Sequence, residues 1–171
     1  MINQRHYERL SRLHRDASSS FYADGDVTVG TGKARVIHPI GEQDLDASRR
    51  VDPTVYHKLL SDAALLAAGS LVEEQFVTVS SFNYYVTQTL ASGKLLAAAQ
   101  VVAARSTMYT VNTVLTDDNG RVLAIGYGTY TPGPVALEGE PDTDASSEDP
   151  DEEIEIFGSF LETPFGLVGL N

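Results

Sequence analysis

The sequence predicts an α+β domain in which an antiparallel sheet packs on one long helix. Residues 55–71 (VYHKLLSDAALLAAGSL) are apolar almost all round, which is typical of a helix that is buried on most sides. Four stretches rich in strand-forming residues follow that helix and are joined by short turns. One further strand pattern precedes it, so a single helix interrupts the order of the strands.

A short amphipathic helix is predicted within residues 1–20. Tyr7, Leu10 and Leu13 recur at helical spacing, and arginines surround them. We expect this helix to be a solvated cap on the domain, although its basic face also suits docking on a membrane or a partner.

The long helix has a clear predicted start. A strand is expected over 27–37, and a polar loop over 41–51 leads to Asp52-Pro53. A carboxylate N-cap followed by proline at the first helical position is typical of a helix N-terminus.

The strands predicted after the helix cover residues 76–86, 95–105, 107–116 and 121–131. Asn119-Gly120 lies between the last two, and Asn-Gly between two such patterns is a strong hairpin signal. The Pro-Gly-Pro stretch at 132–134 is expected to end the last strand. All of these elements belong to one predicted domain over residues 21–134.

The net charge of −12 is concentrated in one segment. Residues 137–155 hold ten acids and no basic residue, whereas the rest of the chain is nearly neutral. Charge repulsion and a lack of apolar groups predict a disordered linker over 135–153. The apolar residues 154–171 are predicted to dock on the body or on a second subunit.

Composition excludes several classes of function. The absence of cysteine removes disulfides, thiolate metal sites and a cysteine nucleophile. The four histidines show no ligand spacing, and no phosphate-binding or dinucleotide motif occurs, so neither a metal nor a cofactor is expected. The chain lacks a concentrated basic surface for nucleic acid and an apolar run long enough to span a bilayer. We therefore expect a cytoplasmic protein without a nucleic-acid or membrane partner.

Three stretches carry a resemblance to a known family, namely DAALLAAGSL (62–71), FNYYVTQTLASGKLLAAAQVV (82–102) and TVLTDDNGRVLAIGYGTYTP (113–132). Together they resemble the hotdog-fold acyl-CoA thioesterases of the phenylacetate-pathway type. The resemblance implies a sheet wrapped around one central helix and a homodimer or dimer of dimers. It also implies an acyl-CoA site between subunits, a helix carboxylate that activates water, and a backbone amide near the helix N-terminus that polarises the thioester carbonyl.

Asp62 is the candidate carboxylate. It is the acid in the apolar part of the long helix, and partial burial suits a general base. The alternative is an ion pair with Lys58, four residues earlier. Counting back from the Gly-Ser pair at 69–70 instead places Ser61 at the family's carboxylate position, so the alignment stays open by one residue.

His57 is the second catalytic candidate, because it stands where the family's motif histidine is expected. The two glycines that follow that histidine in the family are replaced by lysine and leucine. We expect the first-turn amides around Tyr56 and His57 to polarise the carbonyl oxygen, a role that does not depend on side-chain identity.

Further substrate-binding candidates lie on the strands. Asn83 and Tyr84 point to opposite faces of one strand, so one of them can line a pocket. Arg105 follows another strand, where an arginine can hold the phosphates of CoA. Packing or solvation is the alternative for each.

The sequence therefore predicts an acyl-CoA thioester hydrolase that works as a homo-oligomer. A non-catalytic protein that binds acyl-CoA or acyl chains is the alternative, and the missing glycines favour it. A third interpretation is an interaction protein that uses residues 154–171 as its contact.

Overall fold

A computed structural model of the chain describes residues 4–17 and 26–137. Its elements, in chain order, are α1 (Gln4–Ala17), β1 (Asp26–Gly30), β2 (Lys33–Pro39), α2 (Pro53–Gly69), β3 (Gln75–Val86), β4 (Lys94–Arg105), β5 (Met108–Thr116) and β6 (Val122–Ala136). Within these ranges, no helix is both long and apolar enough to cross a membrane. The apolar segment predicted at 154–171, and the acidic linker from residue 138 onwards, lie outside the described residues.

The six strands form one antiparallel sheet in the order β1-β2-β4-β5-β6-β3. α2 packs across one face of this sheet, and its Leu59, Leu60 and Ala63 are fully inaccessible to solvent. The alanines of α2 allow this close approach because they add little bulk between helix and sheet. The predicted α+β architecture, one sheet on one long helix, is confirmed.

One predicted strand is two strands in the structure. The stretch over 27–37 folds back on itself at Thr31-Gly32, so that β1 and β2 pair from Asp26–Ile37 to Gly30–Lys33. Gly32 has φ of +65°, a left-handed conformation that glycine adopts without steric cost. The expectation of one continuous strand was wrong because the alternation of apolar residues runs on across this tight turn.

The last strand is longer than predicted. β6 continues through the Pro-Gly-Pro stretch and ends at Ala136. Its last pair with β5 joins Tyr130 to Tyr109, and beyond that point β6 pairs with β3 on one side. A proline lacks the N–H that a second neighbour would need, so an edge position tolerates it. The expectation that these prolines end the strand was therefore wrong.

A buried carboxylate fixes the loop that precedes α2. The Asp44 and His38 side chains are both almost completely buried, with Asp44 Oδ2 and His38 Nε2 2.8 Å apart. The same oxygen accepts a hydrogen bond from the Gly41 amide at 2.8 Å. Asp44 O in turn accepts from the Asp52 amide, the residue that caps α2. These contacts hold the start of α2 in place.

Polar contacts hold α1 against the domain. His6 Nε2 donates to the Gly69 carbonyl at 2.8 Å, and Arg15 donates to the Val27 carbonyl at 3.1 Å. Between them, the apolar stripe of α1 buries Tyr7 and Leu10. α1 therefore covers part of α2 as well as the edge strand β1.

Candidate functional site

α2 begins before Tyr56 and His57, the residues whose amides were expected to polarise a carbonyl oxygen. α2 begins at Pro53, and Asp52 Oδ1 accepts from the Thr54 amide at 2.8 Å, as the N-cap motif predicts. The amides of Tyr56 and His57 then belong to the internal hydrogen-bonding ladder of the helix. Helix hydrogen bonding from Pro53 onwards would pair both amides within α2, which argues against their donation to a carbonyl oxygen, and that role stays a prediction.

The side chains of Tyr56 and Ser61 are engaged within the chain. Tyr56 is fully buried, and its hydroxyl accepts a hydrogen bond from the Leu90 amide at 3.1 Å. The Ser61 hydroxyl donates to the Lys58 carbonyl at 3.2 Å. Burial leaves the Tyr56 side chain no surface for a substrate, whereas Ser61 is partly exposed.

Asp62 lies where α1 passes over α2. Its Oδ2 accepts from Lys58 Nζ at 2.8 Å and lies 3.7 Å from His14 Nε2. The Asp62 side chain is 17% exposed, the His14 side chain 9% and the Lys58 side chain 37%. The ion pair with Lys58 is thus present, and a histidine of α1 adjoins the same carboxylate oxygen.

Two further properties define the surroundings of Asp62. Burial lowers the pKa of His14 while the charge of Asp62 opposes that shift, so the imidazole is held toward its neutral form. Burial, and secondarily the charge of Asp62, raises the pKa of Tyr130. Tyr130 Oη is buried and has no hydrogen-bond partner among the residues that the structure describes. Asp62 therefore lies among one cation and two polar rings that favour the neutral state.

His57 belongs to a different environment. Its ring centroid lies 5.5 Å from that of Phe82 and 5.1 Å from that of Tyr84, and the His57 side chain is exposed. Five residues separate His57 from Asp62, which places them about 140° apart around the helix axis. The two catalytic candidates therefore face different elements, His57 toward β3 and Asp62 toward α1.

Two glycines of β6 make room for aromatic rings between the sheet and α2. A Cβ atom on Gly128 would lie 2.7 Å from Phe82 Cδ2 and 2.8 Å from Tyr130 Cε2. A Cβ atom on Gly126 would lie 2.8 Å from Phe82 Cζ. The rings of Phe82 and Tyr130 thus lie directly on the backbone of β6. Phe82 contacts His57 and Tyr130 lies near Asp62, so the two adjacent rings link the two candidate residues.

The remaining candidates lie further out on the sheet. Tyr84 faces α2, where it contacts His57, and strand alternation puts Asn83 on the opposite, exposed face. Arg105 is exposed at the end of β4, next to a turn in which Ser106 has φ of +51°. Of the predicted substrate-binding residues on strands, Tyr84 is therefore the one that the structure brings to α2.

Sequence reasoning missed two residues that lie close to Asp62. His14 and Tyr130 are far from Asp62 along the chain, and each lies on a different element. One signal was available for His14, which follows Tyr7 by seven residues and therefore shares the apolar stripe of α1. No comparable local signal marked Tyr130, because strand alternation predicts which face it occupies but not which helix residue lies over it.

No protein-family model and no curated protein matches the sequence. Solved structures do match its shape. PaaI of E. coli, from the phenylacetic acid degradation operon, aligns with a TM-score of 0.71 and 13% identity over 81% of this chain and 100% of its own. A mutant thioesterase from Pseudomonas aeruginosa gives a TM-score of 0.66 at 15% identity, over 77% of this chain and 94% of its own. A thioesterase from Haemophilus influenzae gives 0.65 at 16% identity, over 73% of this chain and 88% of its own.

At these identities the likeness concerns the fold. The three structures named above are those of PaaI and of two thioesterases, and the sequence resembled the same branch. They align over most of this chain, which includes the single long helix and the antiparallel sheet. The chain has the hotdog fold, in the form found in PaaI and these thioesterases.

Proposed function

We propose that the protein hydrolyses acyl-CoA thioesters and that Asp62 is its general base. The observation that carries this proposal is the partly buried carboxylate on α2, in a fold shared with thioesterases. A carboxylate in such a position is shielded from bulk water yet reachable by a substrate, which suits proton transfer.

The proposed reaction uses two groups of α2. Asp62 accepts a proton from a water molecule as the water oxygen attacks the thioester carbonyl carbon. The ammonium of Lys58, 2.8 Å from Asp62 Oδ2, supplies positive charge beside the oxyanion that forms. The carbon–sulfur bond then breaks, the proton held by Asp62 goes to the CoA sulfur, and the carboxylic acid and CoA thiol leave.

We further propose that two copies pair through β3. This strand lies at the edge of the sheet, and its Val79, Tyr85 and Val86 are exposed large apolar side chains. An exposed edge strand with such side chains is a template for pairing with a second chain. Pairing here would bring the His57–Phe82–Tyr84 cluster close to the second subunit. Multi-angle light scattering is expected to give the mass of a dimer or of a dimer of dimers, and a monomer would contradict this assembly.

The experiment that tests hydrolysis is thiol release from short, aromatic and long acyl-CoAs. The protein contains no cysteine, so a thiol-reactive dye detects product CoA alone. We expect turnover by the wild type and a fall of about 10²–10⁴-fold in Asp62→Asn, the usual contribution of a general base. Asp118→Asn, the same change in an exposed turn, is the matched control and is expected to keep wild-type activity. Full activity of folded Asp62→Asn would refute the proposed role.

A non-catalytic acyl-CoA-binding protein is the second candidate. The observation that favours it is the start of α2 at Pro53, since helix hydrogen bonding from that point would occupy the Tyr56 and His57 amides that were expected to donate to a carbonyl oxygen. Binding of acyl-CoA by calorimetry, without thiol release from any member of the panel, would support this candidate over hydrolysis.

A further inference from the structure

An apolar cavity of about 160 Å³ lies between α1, α2 and the start of β3. Leu13 and His14 line it from α1, Leu65 and Leu66 from α2, and Phe76 from β3. This space lies outside the groups proposed to carry out hydrolysis.

Residues of two elements that line the cavity, α1 and α2, also lie close to Asp62, which is not itself a lining residue. Leu65 and Leu66 follow Asp62 by three and four residues, so all three lie on one face of α2. His14 is part of the cavity wall, and its Nε2 lies 3.7 Å from Asp62 Oδ2. The cavity therefore extends along α2 from the candidate base toward the C-terminal end of the helix.

The lining of the cavity is mostly apolar. Leucine, alanine, valine and phenylalanine make up most of the wall, and its polar side chains are Gln75 and His14, of which His14 lies beside Asp62. Leu13 and Phe76 keep 37% and 40% of their surface exposed, and an apolar ligand in the cavity would cover part of that surface. An apolar wall with a polar group at one end fits an amphipathic ligand whose polar group lies near Asp62.

The size of the cavity limits what it can hold. Pockets that enclose whole drug-sized ligands occupy about 300–1,000 Å³. A space of about 160 Å³ fits one acyl group and leaves CoA outside.

We propose that this cavity holds the apolar acyl chain of the substrate, with the thioester carbonyl at Asp62 and His14. This inference rests on the proposed hydrolysis, and it identifies the substrate class as thioesters of medium-length apolar acids. α1 is then part of the substrate site and not only a cover for the domain.

The test narrows the cavity at one residue. Leu65→Phe adds bulk at a partly buried position in the cavity wall, and Leu96→Phe makes the same change at a partly buried position of β4 on the opposite face of the sheet. We expect Leu65→Phe to lower kcat/KM for octanoyl-CoA by about tenfold or more, the scale of misfitting a methylene or two in an apolar pocket. Acetyl-CoA, which has no chain to place, is expected to be unaffected, and Leu96→Phe is expected to change neither substrate.

A second readout separates this inference from the proposed function. Calorimetric titration with octanoate is expected to show binding to the wild-type full chain and loss of binding in Leu65→Phe. If octanoyl-CoA is hydrolysed equally well by both proteins, the cavity assignment is overturned while hydrolysis stands. If no acyl-CoA is hydrolysed but octanoate binding depends on Leu65, hydrolysis is overturned while the cavity assignment stands. A wild type that binds no octanoate overturns the cavity assignment and indicates another occupant, such as residues 154–171.

Discussion

The surroundings of Asp62 and of His57 differ in nearly every physical property, although both residues belong to α2. Asp62 is 17% exposed, pairs with Lys58, and lies under α1 beside His14. His57 is exposed and contacts the rings of Phe82 and Tyr84 on β3. One side of the helix therefore carries charge in a sheltered position, and the other carries an exposed histidine against two partly buried rings.

Neighbouring elements decide what a polar residue of α2 can do. A charge shielded from water interacts more strongly with nearby groups than one in solvent. α1 supplies that shielding at Asp62, whereas the sheet edge leaves His57 open. Residue type alone would rank the two as equal candidates, and their placement separates them.

The largest expected effect is on activity, and it should differ between substitutions at Asp62 and at His57. We expect Asp62→Asn to lower kcat/KM by about 10²–10⁴-fold, since it removes the proton acceptor. His57→Asn should leave kcat/KM close to that of the wild type, because His57 faces β3 and not Asp62. Thiol-release kinetics on both variants measure the contrast. A loss in His57→Asn as large as that in Asp62→Asn would break the distinction between the two sides.

The next effect concerns the strand that connects the two sides. Gly128→Ala places a Cβ atom against Phe82 and Tyr130, and also 3.1 Å from the Ser81 carbonyl oxygen. We expect the free energy of unfolding to fall by about 1–3 kcal/mol, the usual cost of overpacking. Gly69→Ala is the control, because its Cβ atom would meet Leu10 at an ordinary 3.6 Å. Urea denaturation measures both variants, and an unchanged midpoint for Gly128→Ala would show that the rings can move aside.

Much of the fold follows from local patterns in the sequence. Asp52-Pro53 marks the start of α2, and the Asn-Gly pair marks the turn between β5 and β6. These signals act over a few residues, so they can be identified without knowledge of the tertiary structure. The turn at Gly32 and the continuation of β6 past Pro132 were missed because each depends on which strand lies alongside.

The candidate site was less predictable than the fold. Asp62 and its pair with Lys58 could be inferred, since both lie on one helix at a spacing of four residues. The approach of His14 and Tyr130 to Asp62 could not be inferred, because it depends on how α1 and β6 pack on α2. Local periodicity determines the face on which a residue lies, and tertiary packing determines what it meets there.

A smaller effect should appear in the pH dependence of stability. The pKa of His14 is lowered from 6.5 by burial, so below pH 6.5 the unfolded chain binds a proton that the folded chain resists. The free energy of unfolding should therefore fall as the pH drops from 6.5 toward the folded-state pKa. His14→Gln should reduce that loss, as measured by urea unfolding at pH 7.5 and at lower pH. The same steep loss in His14→Gln would mean that other groups cause it.

The smallest effect concerns the hydroxyl of Tyr130. Tyr130→Phe removes a buried group that has no partner within the described residues, so we expect the free energy of unfolding to stay level or rise by about 1 kcal/mol. If substrate or attacking water supplies the missing partner, kcat/KM should fall by about three- to tenfold, the worth of one neutral hydrogen bond. Tyr109→Phe, on the strand residue paired with Tyr130, is the control and should leave activity unchanged.

The opposite signs of these two effects make Tyr130→Phe informative. If a side chain only packs, removing its contacts lowers the free energy of unfolding of the protein. If a buried polar group is kept for a ligand, removing it raises the free energy of unfolding and lowers activity. Lower stability together with unchanged kcat/KM would show that Tyr130 only packs, as part of the ring cluster of Phe82 and His57. Higher stability together with lower kcat/KM would show that Tyr130 of β6 belongs to the same site as Asp62.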